Sequence, residues 1–291
     1  MKGFFYWTLT LVIAVAIMFY QRVTGPTYPK KVKVEIAGKE YKFNLLRSSE
    51  LKKINGNEES PCEIKLPVED ESIRAKVFYK RYRVNEEWTS LEMQAKTVNK
   101  KAFFGKGKKI RVLSATLPDQ PPAGKLEYRV ELYKDGKSFV INQKPVVVRF
   151  KGFVPRYILI PHVTFMVLAL IFGTRTGVEL LFRRKKTFTF ALVTLIALGF
   201  GGLVFGPNVQ YYAFGDYWTG WPFGSDWTDN KTIFAFIFWV VAVFILRKKP
   251  QNRLWPALAL LVMYSIYLIP HSKGGSELNP ETGKVETGLK K

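Results

Sequence analysis

Cysteine is nearly absent from this chain: of 291 residues, only Cys62 carries a thiol. An internal disulfide is thereby excluded, and a bond to another chain is the one disulfide left open. Histidine is almost as scarce, with His162 and His271 alone, so no CxxCH or HExxH pattern exists. There is no phosphate-binding glycine loop and no Ser-His-Asp order distinguishable from chance, and the expectation is therefore a protein that is not an enzyme. Acidic residues are the minority charge, 23 Asp and Glu against 45 Lys and Arg, for a formal net charge of +22.

Charge is missing altogether from five apolar blocks: 3–20, 157–174, 187–215, 232–246 and 254–270. Each approaches the roughly 20 residues that cross about 30 Å of hydrocarbon as a helix, which predicts five transmembrane helices. One such block alone could be a buried helix of a soluble protein; five argue against that. Proton relays and ion pathways usually need an ionisable residue inside the membrane, and none of the five blocks holds Asp, Glu, Lys or Arg, which argues against transport.

What charge there is has a pattern. Arg183, Arg184, Lys185 and Lys186 form one basic tract, and Arg247, Lys248, Lys249 and Arg253 form another, both beside apolar blocks. Basic tracts hold loops on the cytoplasmic side, so the N-terminus is expected inside, with 21–156, 207–231 and the C-terminus outside. The 29 Lys and Arg against 16 Asp and Glu in 27–156 do not oppose this, because long translocated domains largely escape the rule. An outer domain meets no nucleic acid, so that partner is excluded. The exit of block 3–20 reads IMFYQRVTGPTYP, which lacks a small-x-small cleavage pattern; residues 1–22 are read as an uncleaved anchor.

Residues 27–153 change to short alternating runs broken by turn residues, the signature of antiparallel strands with one wet face. A hairpin is expected around Ala37-Gly38, with strands at 74–84, 88–96, 109–116, 125–133 and 138–150 and a tight turn at Asp135-Gly136. Six to eight strands in this length predict an all-β sandwich. The stretch LPDQPPAGKLEYRVEL, a Pro-rich turn entering a strand with Leu126, Tyr128, Val130 and Leu132 in alternation, resembles the late strands of fibronectin type III or immunoglobulin-like modules. Together with TGPTYP after the first block and the aromatic loop, it also resembles a group of uncharacterised bacterial inner-membrane proteins with a periplasmic domain of that kind. That likeness implies architecture and a place in the inner membrane, and attaches no activity.

Lys100, Lys101, Lys106, Lys108 and Lys109 crowd around Phe103 and Phe104. They suit either an anionic lipid surface or acidic partner, or a solvated loop whose lysines protect a sheet edge.

Within 154–271, His162 and His271 share the context LIPH and are expected at similar depth near the outer side. Two imidazoles at one level can hold haem or a divalent metal; the plainer alternative is a pair of hydrogen-bonded interfacial groups, and no cofactor is predicted. GFGGLVFG at 199–206 offers small residues for close helix packing. The outer loop 207–231 contains DYWTGWPFGSDWTDNK, whose Trp218, Trp221, Phe223 and Trp227 are expected to seat the outer domain on the helices. Asp226, Asp229 and Asn230 offer oxygens to a hard cation such as calcium, although Asp229 equally suits the N-cap of the following helix. A carbohydrate or peptide groove at Trp218 and Trp221 is a third reading.

Residues 272–291 have no aromatic side chain and little apolar surface, and a disordered tail is expected. Taken together, the sequence predicts a non-catalytic membrane scaffold, assembly factor or accessory subunit whose partners are the bilayer and other membrane or periplasmic proteins. The rival reading is a haem- or metal-binding subunit. A ligand sensor would need an output domain inside, where only short loops are expected.

Overall fold

The computed structural model describes residues 2–54, 57–59, 62–100, 107–183, 185–269, 275–280 and 282–286. It is a mixed fold of apolar helices and β-sheets, and it divides into a helical unit (Met1–Pro26, Val154–Glu277, Val285–Lys291) and a strand unit (Thr27–Phe153, Leu278–Lys284).

In the strand unit, β1 (Lys30–Ile36) and β2 (Lys39–Leu45) form the expected hairpin, with Ala37 and Gly38 both at positive φ, 49° and 77°. That pair of angles gives a turn whose twist matches the strands it joins. Next come β3 (Ser48–Glu50), β4 (Lys52–Ile54) and β5 (Asn57–Glu59), then β6 (Cys62–Pro67), β7 (Arg74–Arg81), β8 (Thr89–Glu92) and β9 (Gln94–Lys100). The series continues with β10 (Lys108–Leu117), β11 (Lys125–Lys134), β12 (Lys137–Val140) and β13 (Val146–Lys151). One sheet runs β6-β10-β9; a larger one runs β3-β13-β11-β7-β8, with β12 also on β11. Strand β11 shows the cause plainly: in KLEYRVELYK, Leu126, Tyr128, Val130 and Leu132 are all buried and their neighbours are not. Inward residues of both sheets, such as Leu66, Leu113, Val77 and Val130, belong to one apolar core.

The single strand expected at 138–150 is two strands, because residues 141–145 leave the ladder. The amide of buried Asn142 fills the gap, accepting from Val130 N at 3.0 Å and donating to Tyr128 O at 3.2 Å. Buried Tyr128 donates its hydroxyl to Leu46 O at 2.8 Å, tying the end of β2 to β11. Tyr128→Phe should cost about 1 kcal/mol in a denaturant titration, since the Leu46 carbonyl loses its donor inside the core. An unchanged midpoint would show that this bond contributes nothing.

Cys62 is fully buried, and its burial pushes the thiol up to about 12. The intermolecular disulfide left open by the sequence therefore has no accessible thiolate to form it. In native protein at pH 9, a thiol reagent should label Cys62 no faster than the rate of global unfolding, and labelling within seconds would contradict the buried placement.

Of the basic segment, Lys101 and Lys106 lie outside the described residues, as does the side chain of Lys100. Lys108 and Lys109 are exposed at the start of β10, whereas Arg111 turns back to donate to Val68 O and Asp70 O at 3.1 and 2.9 Å.

The helical unit contains α1 (Lys2–Thr24), α2 (Arg156–Leu181), α3 (Thr187–Leu198), a π-helical segment (Gly199–Phe205), α4 (Gly206–Phe214), α5 (Trp227–Lys248) and α6 (Leu254–Leu268). Among the described residues four helices are long and apolar enough to cross a membrane: Gly3–Thr24, Arg156–Leu181, the continuous Thr187–Phe214, and Thr228–Lys248. The fifth expected block forms a helix of 15 residues, about 22 Å long at 1.5 Å per residue. Large apolar side chains stand exposed along these helices, including Phe4, Val12, Phe19, Phe234, Phe244 and Leu261, as suits a hydrocarbon solvent. Residues 207–214, expected in a loop, complete the third long helix, so the loop proper is 215–226. Gly215 ends α4 at φ 94°, a left-handed cap that favours glycine.

Candidate functional site

The loop 215–226 is fixed from beneath by three side chains of α5's first turn and cap. Asp226 is the N-cap: its Oδ1 accepts from Thr228 N at 2.7 Å. The expectation that Asp229 caps this helix is thus corrected, because the cap is Asp226, three residues earlier, and the helix runs from Trp227. Asp229 instead reaches back to the loop, accepting from Thr219 N at 2.7 Å and from Gln210 Nε2 of α4 at 3.1 Å. Asn230 Oδ1 accepts from Trp221 N at 2.6 Å.

Thr219 stands between the two carboxylates, its Oγ1 3.2 Å from Asp226 Oδ2 and 3.3 Å from Asp229 Oδ2. Gln210 Nε2 donates to that hydroxyl at 2.7 Å. Gly220 packs directly on α5: a Cβ there would stand 2.6 Å from the Cβ of Asp229, so no larger residue fits without moving the loop. Thr219, Asp226 and Asp229 are all buried. Charges and hydroxyls this buried are tolerable only when bonded, and here each carboxylate meets several donors.

The C-terminal segment joins the same cluster. Ser276 is buried, and its N and Oγ lie 3.2 and 3.4 Å from Asp226 Oδ2. The expected disordered tail is corrected for its described part, 275–280 and 282–286, which includes the short strands β14 (Glu277–Leu278) and β15 (Val285–Glu286). Polar anchoring through Ser276 replaces the apolar surface that the tail lacks.

The oxygens considered for a cation are thus engaged by N–H and O–H donors. Among the described residues, no group of three or more His, Cys, Asp or Glu is arranged for a metal.

Above this cluster the aromatic loop is open. Tyr217, Trp221 and Phe223 are 53%, 70% and 83% exposed. Trp218 is half-buried and donates its indole N–H to Trp221 O at 3.0 Å; the side chain of Trp227, first residue of α5, lies outside the described residues. A cavity of about 680 Å³ adjoins the loop, lined by Trp218, Pro222, Phe223, Val285 and Glu286 among others.

A smaller cavity of about 170 Å³ lies among the helices, lined by His162, Gln210, Asp229, Lys231 and Tyr267 with apolar neighbours. His162 Nδ1 is 2.8 Å from the carbonyl of Gly201 in the π-helical segment. His271 lies outside the described residues, so the pairing on which the haem reading rests has one described member. The cavity is also well below the roughly 300–1,000 Å³ of small-molecule sites. Lys231 is buried, and its ammonium donates to Ile269 O at 3.1 Å, meeting a free carbonyl at the negative end of α6.

Lys231 belongs to a set of charges that the uncharged blocks concealed. Helix α2 runs past position 174, and Arg175 and Glu179 are both buried and paired at 2.7 Å. The Arg175 guanidinium also lies 4.9–5.7 Å from the rings of Phe190, Trp7 and Tyr6, and Lys186 N donates to Glu179 Oε2 at 3.0 Å. The five blocks are free of charge as read, but helices α2 and α5 extend beyond them and bury Arg175, Glu179 and Lys231. The i,i+4 spacing of Arg175 and Glu179 was the readable signal. No family model, curated protein or solved structure matches the chain.

Proposed function

We propose that the chain is a non-catalytic inner-membrane scaffold or accessory subunit that binds another membrane or periplasmic protein through the aromatic loop 215–226. The observation that carries this reading is the combination of exposed Tyr217, Trp221 and Phe223 with a backbone pinned by Asp226, Asp229 and Asn230. Aromatic residues are enriched in interface cores, and a loop ordered in advance loses less entropy on binding. The buried polar cluster then has a structural task, holding the loop and Ser276 in place.

Five crossings, with α6 completed by its flanks, put the N-terminus in the cytoplasm and the loop and C-terminus in the periplasm, following the two basic tracts. The sheets that share one core support an immunoglobulin- or fibronectin III-like sandwich as a second interaction surface.

A bilayer-interface role for the loop is the second reading, because Trp and Tyr at span ends also collect at headgroup level. Affinity purification after mild detergent extraction, read by quantitative mass spectrometry, separates the two. A partner protein should accompany the wild type and fall about tenfold or more in Trp221→Ala/Phe223→Ala, since an anchor residue contributes about 2 kcal/mol. Accumulation of the double variant should stay normal. If the wild-type protein emerges alone from every detergent tried, the subunit reading loses its support.

A further inference from the structure

We infer that the surface groove between α2 and α6 binds one anionic phospholipid, with an acyl chain along α6 and the phosphate at Arg253. The groove holds about 530 Å³ and is lined by Gly177 and Leu181 of α2 and by Ala257, Leu261 and Leu268 of α6. Those α6 residues are spaced four and seven positions apart and so form one stripe along the helix. Gly177 leaves room for the Leu260 side chain, which stands where a Cβ would be; the two helices approach there and leave a furrow beside the contact. At about 22 Å, α6 is longer than the roughly 15 Å depth of one leaflet of a 30 Å hydrocarbon core, enough for a single chain.

Charge selects the headgroup. Arg253 lines the groove at the N-terminus of α6, the positive end of its dipole. It follows Arg247 and Lys248 in the last turn of α5 and Lys249 at its C-cap, while Arg183, Lys185 and Lys186 follow Leu181 at the end of α2. Among the described residues no Asp or Glu lies within 4 Å of any of these cations, whereas Arg175 within α2 has its own glutamate. An apolar furrow ending in unneutralised cations complements a chain carrying an anionic phosphate group, and a zwitterionic headgroup answers that charge less well.

The test uses the purified full chain in detergent with equimolar phosphatidylglycerol and phosphatidylcholine of identical acyl chains, read by native mass spectrometry. One phosphatidylglycerol should be retained per chain in preference to phosphatidylcholine by about fivefold, the factor of one basic side chain at an anionic surface. Arg253→Gln should bring the two lipids to parity. Ala257→Trp, which fills the furrow, should lower retention of both. Excess glycerol phosphate, which has the anion without the chain, should leave the preference unchanged. Equal retention of the two lipids by the wild type, or an undiminished preference in Arg253→Gln, would overturn the proposal. So would displacement of the lipid by glycerol phosphate. Arg253 is exposed, so its variant decides the matter even if Ala257→Trp does not fold.

Discussion

Asp226→Ala should destabilise the helical unit by about 2 kcal/mol, roughly 1 for the lost helix cap and 1 for the lost contacts to Ser276, while the Thr219 hydroxyl keeps Asp229 as an acceptor. The side chain is buried and serves α5, the loop and the C-terminal segment at once. Two consequences distinguish this from a local cap defect. Unfolding in an SDS titration should shift, and the backbone at 275–286 should become open to protease under native conditions because Ser276 loses its anchor. Trp221→Ala, at an exposed side chain, should stay within about 0.5 kcal/mol of the wild type in the same titration. If Asp226→Ala unfolds at the wild-type point with an intact tail, the polar cluster is not what holds this end together.

Arg175→Met should cost more, about 3–5 kcal/mol, because it strands the Glu179 carboxylate among buried groups. The double variant Arg175→Met/Glu179→Leu should recover most of that loss. A buried ion pair balances its desolvation only narrowly, so replacing both partners with apolar side chains of similar volume is close to neutral. Lys186 N, which donates to Glu179, lies at an exposed residue beyond the helix and can bond to water instead. Should the double variant be as unstable as the single one, the pair is not an isolated unit and the aromatic contacts to Phe190, Trp7 and Tyr6 carry the energy.

How much of this was readable differs by feature. Strand alternation in β11 and the turns at Ala37-Gly38 and Asp135-Gly136 follow from local stereochemistry, and the sequence pattern located them. The break at 141–145 did not show, because Asn142 substitutes for backbone hydrogen bonding over a distance that periodicity does not register. Strands β3, β4 and β5, three residues each, are too short to alternate visibly.

The hidden charges have another cause. Blocks delimited by the absence of charge end by construction at the first ionisable residue, so Arg175 falls one place after 157–174 and Lys231 one place before 232–246. Helices α2 and α5 continue through those positions, since backbone hydrogen bonding does not stop where hydropathy falls. The same effect displaced the cap from Asp226 to Asp229. Thr219, Gln210 and Ser276 are uncharged polar residues that meet across 9 and 57 positions of sequence, and no local pattern announces that.

The proposal that the pinned aromatic loop binds a protein is tested most directly by a photoreactive amino acid placed at position 221 and irradiated in intact cells. The account predicts a discrete crosslinked band containing a second protein, lost when Phe223 is also changed to Ala. Adducts to lipid alone, with no protein band at any irradiation dose, would contradict it.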